Sequence, residues 1–257
     1  MMPSLALVQA LLACGCGGSD GGSGKPPGNS VPPTAVAPTP PPAPAPVPAP
    51  TPTPKPSPAP VCETRDVYTL CITELDTRVS DATLDAMKEQ FFIVYPLLTD
   101  RFNHAAPLTV NFVIGPTVYV AYASGNTVTY NPMWFWQHPN DLGVVAHELM
   151  HVVQGYPHGP SWLTEGIADY ARYYYGLNDG NEGWNLHPPY EGEGYDFGYQ
   201  VTARFLIWVE QRYDVELVEA LDATMREGRG WTPVWFEVTG KTASEVWNEY
   251  LLDPAIE

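Results

Sequence analysis

Basic residues are scarce in this chain. Its 257 residues include 12 Lys and Arg against 29 Asp and Glu, which gives a net charge of −17 at pH 7. Nearly all of this charge lies in residues 62–257, since only Asp20 among the acids and Lys25 and Lys55 among the bases precede them. Nucleic acids and anionic lipid surfaces attract positively charged proteins. We therefore expect no nucleic-acid partner, and the charge itself indicates only solubility. The protein is expected to be a monomer.

Long apolar runs are also missing near the start of the chain. Leu5–Ala13 is too short to span a bilayer, which takes about 20 residues. It ends in Leu-Leu-Ala followed by Cys14 and a Gly/Ser stretch, which resembles the lipobox of bacterial lipoproteins. Residues 1–24 are thus predicted to be a signal region, with a lipid on Cys14 as the membrane anchor of a cell-envelope protein. No Lys or Arg precedes the run, so an ordinary signal peptide or a buried strand remain alternatives.

Proline is concentrated in one segment. Residues 26–60 hold 17 prolines in 35 positions, and they include too few bulky side chains to form a core. Such a segment is typical of a disordered polyproline II linker, here 25–61, with a reach on the order of 100 Å. One domain, 62–257, remains. Cysteine is rare in it, and its only two, Cys62 and Cys71, can form a disulfide in an oxidising compartment.

The domain is predicted to be α+β, with a small sheet followed by a helical half. We expect a first helix from Ser80 or Asp81 to Leu98, with a kink or early stop at Pro96. The expected strands are 107–115, 118–123 and 127–130. The later helices are expected to begin at Asn140 or Asp141, Ser161 or Thr164, Tyr199, Val215 and Ala243, the last behind a capping box at Thr242.

The segment from His147 to His151 carries the strongest functional signal. It reads H-E-x-x-H, and positions four apart share one face of a helix. Two imidazoles on one face are typical of a zinc site, in which the intervening Glu148 acts as the general base rather than as a ligand. The alternative is a surface helix with two histidines and a glutamate that bind no metal.

A second pair of carboxylates follows the motif. Glu165 comes fourteen residues after His151, and Asp169 lies one helical turn beyond Glu165. Glu165 is predicted to be the third Zn²⁺ ligand, and Asp169 to hold a ligand histidine through its distal N–H. Three protein ligands leave a fourth position open, as in catalytic zinc sites.

His158 is a rival third ligand. The pattern H-E-x-x-H-x-x-G-x-x-H requires glycine at the position of Gln154 and histidine at the position of Pro157, so the register of His158 is displaced by one. The remaining histidines, His104, His138 and His187, are predicted to lie on the surface.

Longer stretches resemble a known family. HELMHVVQ, LTEGIADYARYY, YDFGYQVTARFLIWVE and TGKTASEVWNEY are similar to the plant basic secretory protein family and its bacterial relatives, over about residues 66–252. The resemblance implies a zincin-like, exported zinc peptidase of the gluzincin type, in which Asp169 supports His147. The acidic charge departs from the family's name, so no role that depends on a basic surface is carried over.

Substrate contacts are less well defined by the sequence. A zinc peptidase needs an oxyanion donor besides the metal, and Tyr199 is the first candidate and Tyr195 the second, with plain packing as the alternative for both. Residues 127–131 are expected to form the sheet edge to which a peptide adds as a strand, with a plain hairpin strand as the alternative. Three tryptophans can line a pocket or the core: Trp134, Trp136 and Trp162.

Three functions fit these patterns. The first is a surface-tethered zinc metallopeptidase acting on peptides or proteins. The second is a non-catalytic binding domain that keeps its metal for structure, which does not explain the presence of Glu148. The third is a zinc amidase acting on cell-wall peptides, whose chemistry would be the same as that of the first.

Overall fold

The computed structural model describes residues 58–177, 182–213 and 215–257. The predicted signal region (1–24), Cys14 and nearly all of the linker lie outside the described residues. None of the helices in the described ranges is long and apolar enough to cross a membrane.

The described chain forms a sheet followed by helices, which confirms the predicted α+β class. The strands are β1 (Val61–Arg65), β2 (Tyr68–Glu74), β3 (Thr109–Ile114), β4 (Ala121–Ser124) and β5 (Thr127–Tyr130). The helices are α1 (Asp81–Phe102), α2 (Pro132–Gln137), α3 (Gly143–Gln154), α4 (Ser161–Tyr175), α5 (Tyr199–Tyr213), α6 (Leu217–Arg226), α7 (Thr232–Thr239) and α8 (Ala243–Leu252). Four of these were not predicted: β1, β2, α2 and α7.

The sheet has the order β1-β2-β3-β5-β4. β3 pairs in parallel with both β2 and β5, whereas the two outer pairs are antiparallel hairpins. In the first hairpin Cys62 lies opposite Cys71, and the two form the predicted disulfide. The disulfide therefore joins neighbouring strands at one edge of the sheet.

The prediction that 127–131 forms the sheet edge is wrong. β5 is flanked on both sides, because Thr127 pairs with Asn111 of β3 while the hairpin partner β4 covers its other side. The edge strand on this side of the sheet is β4. A hairpin alone does not show which of its two strands joins the rest of the sheet, and here it is the second strand.

Helix α1 is longer than predicted. The Ser80 hydroxyl caps it by accepting from the Thr83 N–H, and the helix runs through Pro96 to Phe102. A proline within a helix costs about 3 kcal/mol. Burial of Val94, Leu98 and Phe102 on both sides of the proline outweighs that cost, since each buried side chain of this size contributes about 1.5–3 kcal/mol.

Helix α3 begins later than predicted and lies almost entirely inside the molecule. Asp141, a predicted cap, instead accepts hydrogen bonds from the Trp134 indole at 2.8 Å and the Arg172 guanidinium at 2.6 Å. The helix packs against α1, α4 and the β4 edge. It ends at Gly155, whose φ of 50° is left-handed backbone that glycine adopts without strain.

Helices α4 and α5 pack closely against each other. Gly166 of α4 faces Thr202 of α5, and a Cβ at Gly166 would overlap the Thr202 methyl group. The Thr202 hydroxyl also accepts from the Gly198 N–H and donates to the Tyr195 carbonyl. One threonine thus holds both the helix crossing and the turn that precedes α5.

Candidate metal centre

Three of the predicted ligands meet at one point. The distance between His147 Nε2 and His151 Nε2 is 3.2 Å, and Glu165 Oε2 lies 3.3 Å from the first and 3.5 Å from the second. Adjacent turns of α3 supply the histidines, and the first turns of α4 supply the glutamate. These three side chains form the candidate metal-ligating group found among the described residues.

Both imidazoles are held from behind by acceptors. His147 Nδ1 lies 2.7 Å from Asp169 Oδ1, and His151 Nδ1 lies 2.8 Å from Gln154 Oε1. A carboxylate oxygen can only accept, so the Nδ1 of His147 carries a hydrogen and its Nε2 is the nitrogen left to bind a metal. The Nε2 of His147 and the Glu165 carboxylate face each other across the site.

The electrostatics of the site favour a positive charge. Burial lowers the pKa of His147, but its hydrogen bonds to Asp169 and Glu165 raise the pKa more strongly, to about 10. Burial raises the pKa of Glu165, but hydrogen bonds to the two imidazoles lower it to about 2. A cation placed between these groups would satisfy all three facing atoms at once.

The spacing of the three atoms fits zinc. Zn–N and Zn–O bonds of about 2.0–2.1 Å at tetrahedral angles place neighbouring ligand atoms roughly 3.3–3.4 Å apart. The observed separations are 3.2, 3.3 and 3.5 Å. Two imidazoles and one carboxylate are also a donor set that zinc prefers. The residues present therefore fit a zinc ion with one position left open.

Glu148 lies beside this group without belonging to it. Its side chain is buried, its Oε2 has no hydrogen-bond partner, and burial raises the pKa of its carboxyl group, which the neighbouring imidazoles oppose. The backbone N–H of Ala123 on β4 donates to the same carboxylate. The sheet edge thus fixes Glu148, while one oxygen stays available for a proton.

Tyr199 and Tyr195 occupy different environments. The Tyr199 ring is parallel to the His147 imidazole, with 6.4 Å between ring centres, and 54% of the residue is exposed. Burial and the nearby Glu165 raise the pKa of Tyr199, so its hydroxyl stays protonated and can donate. Tyr195 instead packs against Trp162 and Phe205. The geometry favours Tyr199 over Tyr195 as the oxyanion donor.

The site opens into a cavity of about 920 Å³. Sequence reasoning missed part of its wall: Asp141 and Arg172 form an ion pair, and the guanidinium lies 4.5 Å from the centre of the Trp184 ring. Arg172 follows Glu165 and Asp169 at positions i+7 and i+3, so it lies on the same helix face. This spacing is the sequence signal from which Arg172 could have been predicted to line the site. Trp184 comes from a loop without such a signal.

Other predicted candidates lie elsewhere. His158 lines the cavity but is not part of the ligating group, and its ring lies beside Gly228. Trp134 lines the cavity, whereas Trp136 is exposed on α2 and Trp162 packs against Trp231.

Of the three histidines predicted to lie on the surface, His104 is exposed, whereas His138 and His187 are only partly exposed. The ring of His138 stacks on Trp134 and lies 3.3 Å from Glu182 Oε2, and the ring of His187 stacks on Tyr190.

A small sheet beside a buried H-E-x-x-H helix, with a glutamate from the next helix meeting its two histidines, is the arrangement of a zincin-like fold. The chain belongs to the BSP family, described as peptidase of plants and bacteria, whose family model matches residues 79–250. The predicted family and fold class are thereby confirmed, and the family is described as one of peptidases.

Solved structures of M1 zinc metallopeptidases are also similar. The enzyme from Deinococcus radiodurans is 11% identical over 75% of this chain and 50% of that chain, with a TM-score of 0.42. A variant from the same organism bound to Tyr-Ser-Ala is 12% identical over 75% and 51%, with a TM-score of 0.43. This chain spans about half the length of these proteins, and no curated protein matches it. The family match alone therefore assigns the chain.

Proposed function

We propose that this protein is an exported, zinc-dependent peptidase in which Glu148 is the general base. The observation that supports this most directly is a buried carboxylate with a free oxygen, positioned next to three ligand atoms that are close enough to hold one metal ion. A metal kept only for structure has no use for such a base. The family match supports peptide-bond hydrolysis as the reaction.

His147, His151 and Glu165 would hold the ion, with Asp169 orienting the first imidazole. Bound Zn²⁺ supplies Lewis acidity, which makes water acidic near neutral pH and polarises a substrate carbonyl. Glu148 accepts a proton from the attacking water and returns it to the leaving amine. The raised pKa of its buried carboxyl group brings it closer to that of a proton carrier near neutrality.

The β4 edge offers a place for the substrate backbone. Backbone groups along an edge strand alternate in direction, and the Ala123 N–H points away from β5, towards Glu148. The backbone N–H of Ala121, two residues earlier, points the same way, and no described strand lies beyond it. An extended peptide pairing there would cross the metal centre, where the Tyr199 hydroxyl can donate to the developing oxyanion.

Replacement of the base tests the proposal. Glu148→Gln keeps the size of the side chain but cannot accept the proton, so we expect peptide hydrolysis to fall by roughly 10²–10⁴-fold with zinc content unchanged. Digestion of a peptide library, with a chelator control, measures the activity and its specificity. Glu237→Gln, on an exposed face of α7, is the matched control. Full activity of Glu148→Gln would rule out the general-base role.

The substrates in that library also separate the alternatives. Cell-wall peptides hydrolysed in preference to protein-derived peptides would favour the amidase, and a zinc-loaded protein that cleaves neither would favour the binding domain.

Export and anchoring form a separate part of the proposal. The disulfide between Cys62 and Cys71 is of the kind that persists in oxidising compartments, which supports export. Lipid attachment at Cys14 rests on the sequence pattern alone. The variant Cys14→Ser should leave the membrane fraction and lose the mass of the lipid, and membrane retention of this variant would contradict the anchor.

A further inference from the structure

Gln154 contacts both halves of the metal centre. It is the last residue of α3, three positions after His151, and only 2% of it is exposed. Its Oε1 lies 2.8 Å from His151 Nδ1, and its Nε2 donates to the Thr164 carbonyl at 3.0 Å. Thr164 directly precedes the ligand Glu165 on α4. A single amide thus connects one ligand histidine to the segment that carries the third ligand.

The Thr164 carbonyl determines which way the amide points. A carbonyl oxygen can only accept, so the NH₂ end of Gln154 must face it. The oxygen end then faces His151, and the His151 Nδ1 must carry the hydrogen. The Nε2 of His151 is left with its lone pair directed at His147 Nε2 and Glu165 Oε2. This chain of contacts leaves one tautomer available to His151.

We propose that Gln154 is a positioning residue that fixes the tautomer and ring orientation of His151 for metal binding. It does for His151 what the Asp169 carboxylate does for His147, but with a neutral group. Because its other end is tied to Thr164, the same side chain also holds the end of α3 against the start of α4. This inference rests on the proposed zinc site and adds a residue to it.

Zinc affinity tests the inference without relying on activity. In Gln154→Leu both hydrogen bonds are lost at similar volume, and the dissociation constant for Zn²⁺ should rise roughly 10–100-fold, the usual effect of removing such a partner. Gln154→Glu keeps an acceptor for His151 Nδ1 but loses the bond to Thr164. Its dissociation constant should lie within about tenfold of the wild-type value, well below that of Gln154→Leu.

The measurement is competition between the metal-free full-length protein and a chromophoric chelator for Zn²⁺, after circular dichroism has shown that each variant is folded. Gln137→Leu, at the exposed end of α2, is the matched control and should bind as the wild type does. A long-range ¹H–¹⁵N spectrum of the zinc-loaded protein should show His151 protonated at Nδ1 in the wild type and in Gln154→Glu.

The outcomes separate the inference from the function on which it rests. A wild-type protein that binds no zinc refutes the site as a whole. If the wild type binds zinc and Gln154→Leu binds within twofold of it, only the positioning role is refuted. Gln154→Glu binding as weakly as Gln154→Leu would also refute it, since an acceptor at this position would then make no difference.

Discussion

Replacing Gly166 by alanine should destabilise the protein, although alanine is the better helix former. Gly166 lies within α4, next to Glu165, where α4 crosses α5. A Cβ at this position would overlap the Thr202 methyl group and lie 2.6 Å from Thr202 Cβ. Carbon atoms in contact normally lie about 3.5–4.0 Å apart. Rotation of the Thr202 side chain can move the methyl group but not Cβ, so the two helices must separate by roughly 1 Å.

The size of the effect follows from two opposing contributions. Overpacking of a core costs about 1–3 kcal/mol, and the upper half of that range applies because backbone has to move. Alanine in place of glycine within a helix stabilises by about 1 kcal/mol. The net loss in the free energy of unfolding is therefore about 1–2 kcal/mol. In a domain of this size that corresponds to a fall in melting temperature of roughly 2–8 °C.

Thermal unfolding in the presence of a chelator measures this loss without a contribution from metal binding. Gly230→Ala is the matched control, since a Cβ there would meet nothing within 4 Å. Zinc affinity of Gly166→Ala should fall as well, because the displaced helix carries Glu165. A melting temperature equal to or above that of the wild type would show that the helix crossing adapts without cost, and would refute the reasoning.

Three further predictions concern the metal centre and the core. Glu165→Ala should weaken zinc binding, measured by chelator competition, far more than His158→Ala; the reverse order would favour the rival ligand. Tyr199→Phe should lower kcat in a peptide-cleavage assay with zinc content intact, because an oxyanion donor is lost; an unchanged kcat would make Tyr199 a packing residue. Burial raises the pKa of Asp222 to about 6, despite hydrogen bonds from Tyr156 and Arg226 that lower it. The folded state therefore favours the protonated form of Asp222. The stabilisation that results is fully present below about pH 4 and is lost as the pH rises through 6. Asp222→Asn should reduce the change in the free energy of unfolding between pH 4 and pH 7 by on the order of 2–3 kcal/mol. Denaturant titrations at several pH values measure this, and a pH dependence equal to that of the wild type would contradict it.

Elements with local signals could be predicted from the sequence. The capping box at Thr242 begins α8 as expected, with the Thr242 hydroxyl accepting from the Glu245 N–H and the Glu245 carboxylate accepting from the Thr242 N–H. The spacing of Glu165 and Asp169 likewise places both on one face of α4. In these cases the residues concerned lie within about one turn of the same helix, so their relative placement follows from their spacing in the sequence.

Elements that depend on distant partners could not be predicted in this way. β1 is short and mostly exposed, so its residues lack the alternation of a strand with one buried face. β2 does alternate Tyr68, Leu70 and Ile72 with smaller polar residues, a local signal that the prediction missed. Asp141 is a residue type that commonly caps helices, yet it accepts hydrogen bonds from Trp134 and Arg172 of other elements. β5 rather than β4 joins the sheet because of its pairing with β3, a contact that neither hairpin strand shows in its own sequence.

The surroundings of His147 and His151 show which contacts of a single site could be predicted from the sequence and which could not. Asp169 could be predicted in advance to hold a ligand imidazole because a carboxylate has only the role of acceptor available, and the family resemblance implied that this imidazole is His147. Gln154 stands three residues from His151 on the same helix, so its proximity was equally predictable. An amide can donate or accept, however, and only the Thr164 carbonyl, a backbone group of another helix, determines which end faces the imidazole. The residue type was sufficient for a side chain that can only accept. For an amide, which can do both, the direction of the hydrogen bond required the tertiary structure.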